Sequence, residues 1–132
     1  MKKYAFGVDI GGTTIKIGLF ETSGNLIEKW EIPTRTQENG TYILNDIAEA
    51  IAAKLAEKNI SEKEIEGIGV GVPGPVGDDG TVYKCVNLGW SVFNVAIELE
   101  RKTGFKVKVG NDANVAALGE MGKAAARATK TL

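Results

Sequence analysis

Four short stretches of this 132-residue chain hold side chains whose types and spacing could do chemistry. The first, GVDIGGTTIKIG from Gly7 to Gly18, sets Asp9 at the end of an apolar run. Gly11, Gly12, Thr13 and Thr14 follow, and Lys16 stands inside a second apolar run. A tight hairpin turn needs a glycine and no charge. Glycines at a bend leave backbone N–H groups bare, and successive bare amides form an anion-binding nest. The two threonine hydroxyls add donors, Lys16 adds positive charge, and Asp9 could hold Mg²⁺ directly or through water. The group suits a phosphate with its metal. The plainer alternative is a glycine hairpin with an ion-paired Asp9.

The second stretch, VGNDANVAALGE, puts Asn111 and Asp112 after a strand-like run and at a helix start. Either residue could cap that helix, but one cap needs only one of them. The chain has no histidine. Imidazole acid–base work and Ser-His-Asp chemistry are therefore excluded. Proton transfer falls to a carboxylate, Lys, Tyr or Cys85, and Asp112 is the candidate general base. The third stretch, NLGW, could bring the Asn87 amide to a polar ligand, while Trp90 reads as core or a loop plug. The fourth, GVGVPG from Gly69 to Gly74, matches G-x-G-x-x-G after a strand. A dinucleotide fingerprint must open a helix, and Pro73, Gly74, Pro75 and Gly77 prevent one. It reads instead as a rigid loop against which a ligand can lie, or as a plain strand-ending turn. Lys123, Arg127 and Lys130 read as a solvated helical face.

The elements that must position these residues follow from hydrophobic period. Tyr4, Phe6, Val8 and Ile10 alternate with Ala5, Gly7 and Asp9, as a strand requires. TIKIGLFE repeats the alternation with Ile15, Ile17 and Leu19, TSGN turns the chain, and LIEKWEI is a third strand stopped by Pro33. The period then lengthens. Ile43, Leu44, Ile47, Ala48, Ile51 and Leu55 form a helical stripe, with Thr41 as its expected N-cap and Asn59 as its stop. IEGIGVGV is a buried strand, with Ile68, Val70 and Val72 on one face and glycines on the other. PGPVGDDGTVYKCVNLGW is turn-rich with one short strand. SVFNVAIELERKTG is expected to be a helix ending at Gly104, KVKV a strand, and NDANVAALGEMGKAAARA the start of a last helix. The order β-β-β-α-β-α-β-α, antiparallel first and parallel later, implies a mixed sheet with helices on its faces.

Composition bounds the function. Apolar residues make up 43% and charged residues 25%, the balance of a soluble globular domain. Net charge is −1, without the clustered Lys and Arg that nucleic acid needs as a partner. No apolar run approaches membrane-spanning length, and the N-terminus does not read as a signal peptide. Cys85 is the single cysteine, so neither an internal disulfide nor a cysteine zinc site is expected. The expected compartment is cytoplasmic.

DIGGTTIK, GVGVPGPV, NLGW and VGNDANVAALGE, in this order and spacing, resemble the ROK-family sugar kinases, bacterial glucokinases above all. The resemblance runs from about Lys3 to Glu120. It implies a ribonuclease-H-like lobe of the actin/hexokinase superfamily over residues 1–120, with 121–132 as a helical tail that departs from the family pattern. It implies that Asp112 is the catalytic base that activates a sugar hydroxyl. Gly74, Asn87, Asn111 and Asp112 match positions that hold the sugar. Gly11, Gly12, Thr13, Thr14 and Lys16 match the loop that meets the ATP phosphates, with Asp9 at Mg²⁺. The implied cofactors are ATP and Mg²⁺; the implied partner is a hexose, glucose first, with neither nucleic acid nor membrane.

A complete kinase of this kind is more than twice as long. Its second lobe carries another phosphate loop, the adenosine site, a Glu-x-Gly-His sugar motif and a cysteine-rich zinc site. With no His and one Cys, those last two are not expected in this chain. The isolated chain is therefore expected to have little or no kinase activity. Two copies about a two-fold axis could face each other across a cleft as a homodimer. The competing expectations are a non-catalytic sugar-sensing module and an assembly domain. ROK-family repressors carry a DNA-binding winged helix in front of these motifs, and here the first strand begins by Tyr4.

Overall fold

In the computed structural model, which describes residues 2–72, 77, 81–82 and 93–111, the alternating first third becomes three strands. They are β1 (Tyr4–Ile10), β2 (Thr14–Glu21) and β3 (Leu26–Pro33), each antiparallel to the one before. A helical turn α1 (Gln37–Gly40), the helix α2 (Ile43–Lys58) and a 3₁₀ turn at Glu62–Glu64 lead to β4 (Ile65–Val72). The short strands β5 (Thr81–Val82) and β6 (Phe93–Asn94) pair with each other, and α3 (Val95–Thr103) leads to β7 (Val107–Asn111). The main sheet runs β3-β2-β1-β4-β7, with β4 parallel to β1 and β7 parallel to β4. This is the expected mixed α/β sheet. The helix expected after β7 lies outside the described residues.

Register explains which face is core. Phe6, Val8 and Ile10 of β1 stand opposite Leu19, Ile17 and Ile15 of β2, and Phe6 and Val8 stand opposite Ile68 and Val70 of β4. Val107 and Val109 extend the same rows across β7. An irregularity in the β1–β4 ladder lets Ile65 and Ile68, three apart, both enter the core. The stripe Ile43, Leu44, Ile47, Ile51 and Leu55 of α2 packs on this face. Lys54 on α2 sits 4.6 Å over the ring of Trp30, whose row partner is the core residue Ile17. The α3 helix touches both α2 and β7, so both helices cover one side of the sheet. The other face is lined at its centre by Gly7, Gly18 and Gly69, all buried.

Element ends follow local capping chemistry in some places and tertiary contacts in others. Asn59 ends α2 in the left-handed conformation, with φ 56°. Gly104 does the same for α3 with φ 79°, after Arg101 and Lys102 in the last turn. Thr41 does not cap α2. Its hydroxyl donates to the Glu38 carbonyl at 2.9 Å and closes α1, a turn the sequence reading did not foresee. Nor does α3 begin at Ser91. Phe93 and Asn94 pair with Val82 and Thr81, and Asn94 caps the helix by accepting the Ile97 N–H at 2.8 Å. No helix among the described residues is long and apolar enough to cross a membrane.

Candidate functional site

The three mutually parallel strands β1, β4 and β7 end at Ile10, Val72 and Asn111. In open α/β sheets ligands bind beyond such carboxyl ends. The GGTT hairpin springs from the first of them, the Pro73–Gly74 stretch from the second, and Asn111–Asp112 from the third. The hairpin and Asn111 thus stand at one edge because strand direction sends them there.

One row of residues crosses the non-core face just inside that edge. Lys16 of β2 stands opposite Asp9 of β1, Asp9 opposite Gly71 of β4, and Gly71 opposite Gly110 of β7. Asp9 and Lys16 are half-buried. The neighbours of Asp9 on the other side are glycines, which put no side chain between its carboxylate and the strand ends at Val72 and Asn111. Asn111 sits two strands from Asp9, about 10 Å away at the ordinary strand spacing.

The hairpin has a defined shape. The Gly11 N–H donates to the Thr14 carbonyl at 3.0 Å, and a Cβ built on Gly11 would lie 2.9 Å from that same oxygen. No side chain fits there without moving backbone. Two further bonds come from Thr34, just past β3. Its N–H donates to the Thr13 carbonyl at 2.9 Å and its hydroxyl to the Gly11 carbonyl at 2.8 Å. Gly12 and Thr13 are exposed at the tip, and among the described residues their amides donate to nothing. The Gly11 and Thr13 carbonyls are taken up by Thr34, while the Gly12 and Thr13 amides keep no protein partner among the described residues.

Thr34 is in turn held from its far side. Arg35 donates from Nε and Nη2 to the two Asp46 oxygens of α2, at 2.7 and 2.6 Å, and lies 4.3 Å over the Tyr42 ring. The Asp46 carboxylate raises the Arg35 pKa above its ordinary value. The sequence reading missed Thr34 and Arg35, because PTRT after a strand looks like any polar connection. The available signal was Pro33, which fixes where β3 stops and so where the next hydroxyl stands.

The structure therefore brings together Asp9, Gly11, Gly12, Thr13, Thr14 and Lys16, and places the Asn111 backbone at the same sheet edge. Gly74, Asn87 and Asp112 lie outside the described residues.

The profile of the ROK family matches residues 5–132. The chain belongs to the ROK family. A glucokinase from Halalkalibacterium halodurans is 44% identical over 131 residues, covering 98% of this chain and 40% of the relative. An N-acetyl-D-glucosamine kinase from Aliivibrio salmonicida is 34% identical over 116 residues, covering 87% of this chain and 37% of the relative. Among solved structures, a ROK family glucokinase from Streptomyces griseus, in complex with glucose and AMPPNP, superposes with a TM-score of 0.66 at 31% identity. That match covers 89% of this chain and 36% of the other. The fold is that of these ROK proteins, and the chain spans about two fifths of their length.

Proposed function

We propose that this chain is the N-terminal lobe of an ATP-dependent hexose kinase, with glucose the first candidate substrate. One observation carries the reading. A hairpin with two amides that bond to nothing among the described residues stands beside the half-buried cross-strand neighbours Asp9 and Lys16, at the carboxyl edge of the sheet, in a ROK-family chain. The residues fit a phosphate group: a Cβ has no room at Gly11, and Gly12 and Thr13 are exposed. Magnesium arriving with the nucleotide would neutralise charge on the phosphates, and asks the protein for only one or two carboxylates, here Asp9.

The chain's own residues then divide the work. Gly12 and Thr13 donate backbone N–H bonds to phosphate oxygens, and Lys16 adds a positive charge one strand away. Asn111, Asn87 and the backbone at Gly74 hold sugar hydroxyls. Asp112 orients the attacking hydroxyl and accepts its proton. Phosphoryl transfer is mostly positioning and charge stabilisation, so a base with no histidine behind it suffices.

The test is a chimera. This chain replaces the matching part of the Halalkalibacterium halodurans glucokinase, and a coupled assay with Mg–ATP follows a small hexose panel. The chimera is expected to phosphorylate glucose, and Asp112→Asn to cost about 10²–10⁴-fold in kcat. A folded chimera that phosphorylates no hexose sinks the reading, as does an Asp112→Asn chimera that works at full rate.

A further inference from the structure

We infer that Thr34 is a positioning residue for the phosphate-binding hairpin, a role that rests on the phosphate reading of Gly11–Thr14. The residue belongs to no sequence motif of the site. It sits 23 positions downstream of Gly11, on the connection from β3 to α2. Its backbone N–H and its hydroxyl reach both carbonyls that flank Gly12, at 2.9 and 2.8 Å. A glycine pair without such a brace samples many backbone conformations, because glycine carries the least steric restriction. Only conformations that turn both amides outward can chelate one phosphate. The Gly11 carbonyl shares a planar trans peptide with the Gly12 N–H, so holding that carbonyl on Thr34 turns the N–H to the opposite side before the ligand arrives, and holding the Thr13 carbonyl limits the rotation of the peptide between them.

The brace is itself anchored at both ends. Pro33 is the Cα partner of Thr14, so β3 delivers Thr34 directly beneath the hairpin. Arg35, forked onto Asp46 and stacked on Tyr42, ties the next residue to the start of α2. The hairpin's shape is thus set by the helix connection as well as by its own glycines.

Apparent affinity scales with the fraction of the protein in the competent conformation. Losing one hydrogen bond of ordinary net worth lowers that fraction by about fivefold. The experiment titrates the ¹⁵N-labelled 132-residue chain with magnesium tripolyphosphate and follows the Gly12 and Thr13 amide shifts. Val8 and Ile17, in the sheet centre, report the fold. Thr34→Val, which keeps shape and N–H but loses the hydroxyl, is expected to bind about fivefold more weakly with core shifts unchanged. Thr34→Ser, which keeps the hydroxyl, is expected to bind like wild type. A Thr34→Val chain that binds as tightly as wild type overturns the inference and leaves the phosphate site standing. So does a Thr34→Ser chain that binds several-fold more weakly, and that arm holds even where the valine variant does not fold. A wild-type chain whose hairpin amides ignore tripolyphosphate overturns the phosphate reading, and the role of Thr34 with it.

Discussion

Gly11 illustrates how much one missing side chain can decide. Its place is set by a backbone oxygen, the Thr14 carbonyl, which would lie 2.9 Å from any Cβ. Backbone cannot swing aside as a side chain can. Gly11→Ala is therefore expected to cost about 1–3 kcal/mol in urea unfolding, as overpacking does. It should also disturb the Thr34 contacts, because the Gly11 carbonyl is the acceptor of the Thr34 hydroxyl. A Gly11→Ala chain as stable as wild type would show that the hairpin has slack the geometry denies. Asp9, Gly11, Gly12, Thr13, Thr14 and Lys16 could be singled out from the sequence because they crowd around one bend. Thr34 was not legible, since its importance lies in a contact across 23 residues and nothing in PTRT states it.

The elements repeat that lesson at larger spacing. The bounds of β1, β2 and β4 could be read from alternation, because every second residue faces one helix layer. The start of α3 could not, because the pairing of Phe93–Asn94 with Thr81–Val82 takes those residues before the helix can. Asn94 then serves as ladder partner and cap together. Asn94→Ala is expected to cost about 1 kcal/mol of stability, with hydrogen exchange quickening at the Ile97 amide. At the opposite edge of the sheet, Lys54 of α2 pairs with Glu28 of β3 and, at 2.9 Å, with Glu57, while Lys58 reaches Glu28 at 2.8 Å. The Lys54 and Lys58 hydrogen bonds hold the Glu28 pKa below its ordinary 4.5, and Glu28, then Glu57, raise that of Lys54 above 10.5. A lowered carboxylate pKa gives stability that is present above 4.5 and lost as pH falls through the lowered value. The raised lysine contributes below 10.5, and its share goes as pH climbs through the raised value. Glu28→Gln should thus melt below wild type at pH 7, and the gap should close as the solution is acidified past 4.5. A gap that stays constant down to pH 2 would mean that packing of the Glu28 stem, and not its charge, ties β3 to α2.

At the scale of the molecule, direction matters more than any side chain. Parallel β1, β4 and β7 bring the hairpin and Asn111 to one edge, while α2 and α3 keep to one face. Among the described residues, a phosphate chain at this edge would meet protein at the hairpin. ROK relatives are about two and a half times as long as the part this chain spans, and the resemblance puts the adenosine site on their other lobe. The adenosine moiety should therefore find little to bind on these 132 residues. In the amide titration described for Thr34, Mg–ATP and magnesium tripolyphosphate are expected to bind with affinities within about threefold, a difference under about 1 kcal/mol. The Gly12 and Thr13 amides should shift in the same direction with both. Turnover of glucose by the 132-residue chain alone should be negligible beside that of the chimera. If ATP instead binds tenfold or more tightly than tripolyphosphate, these residues hold a purine-binding surface of their own. The division of labour between lobes would then have to be redrawn, with the nucleotide seated largely on this one.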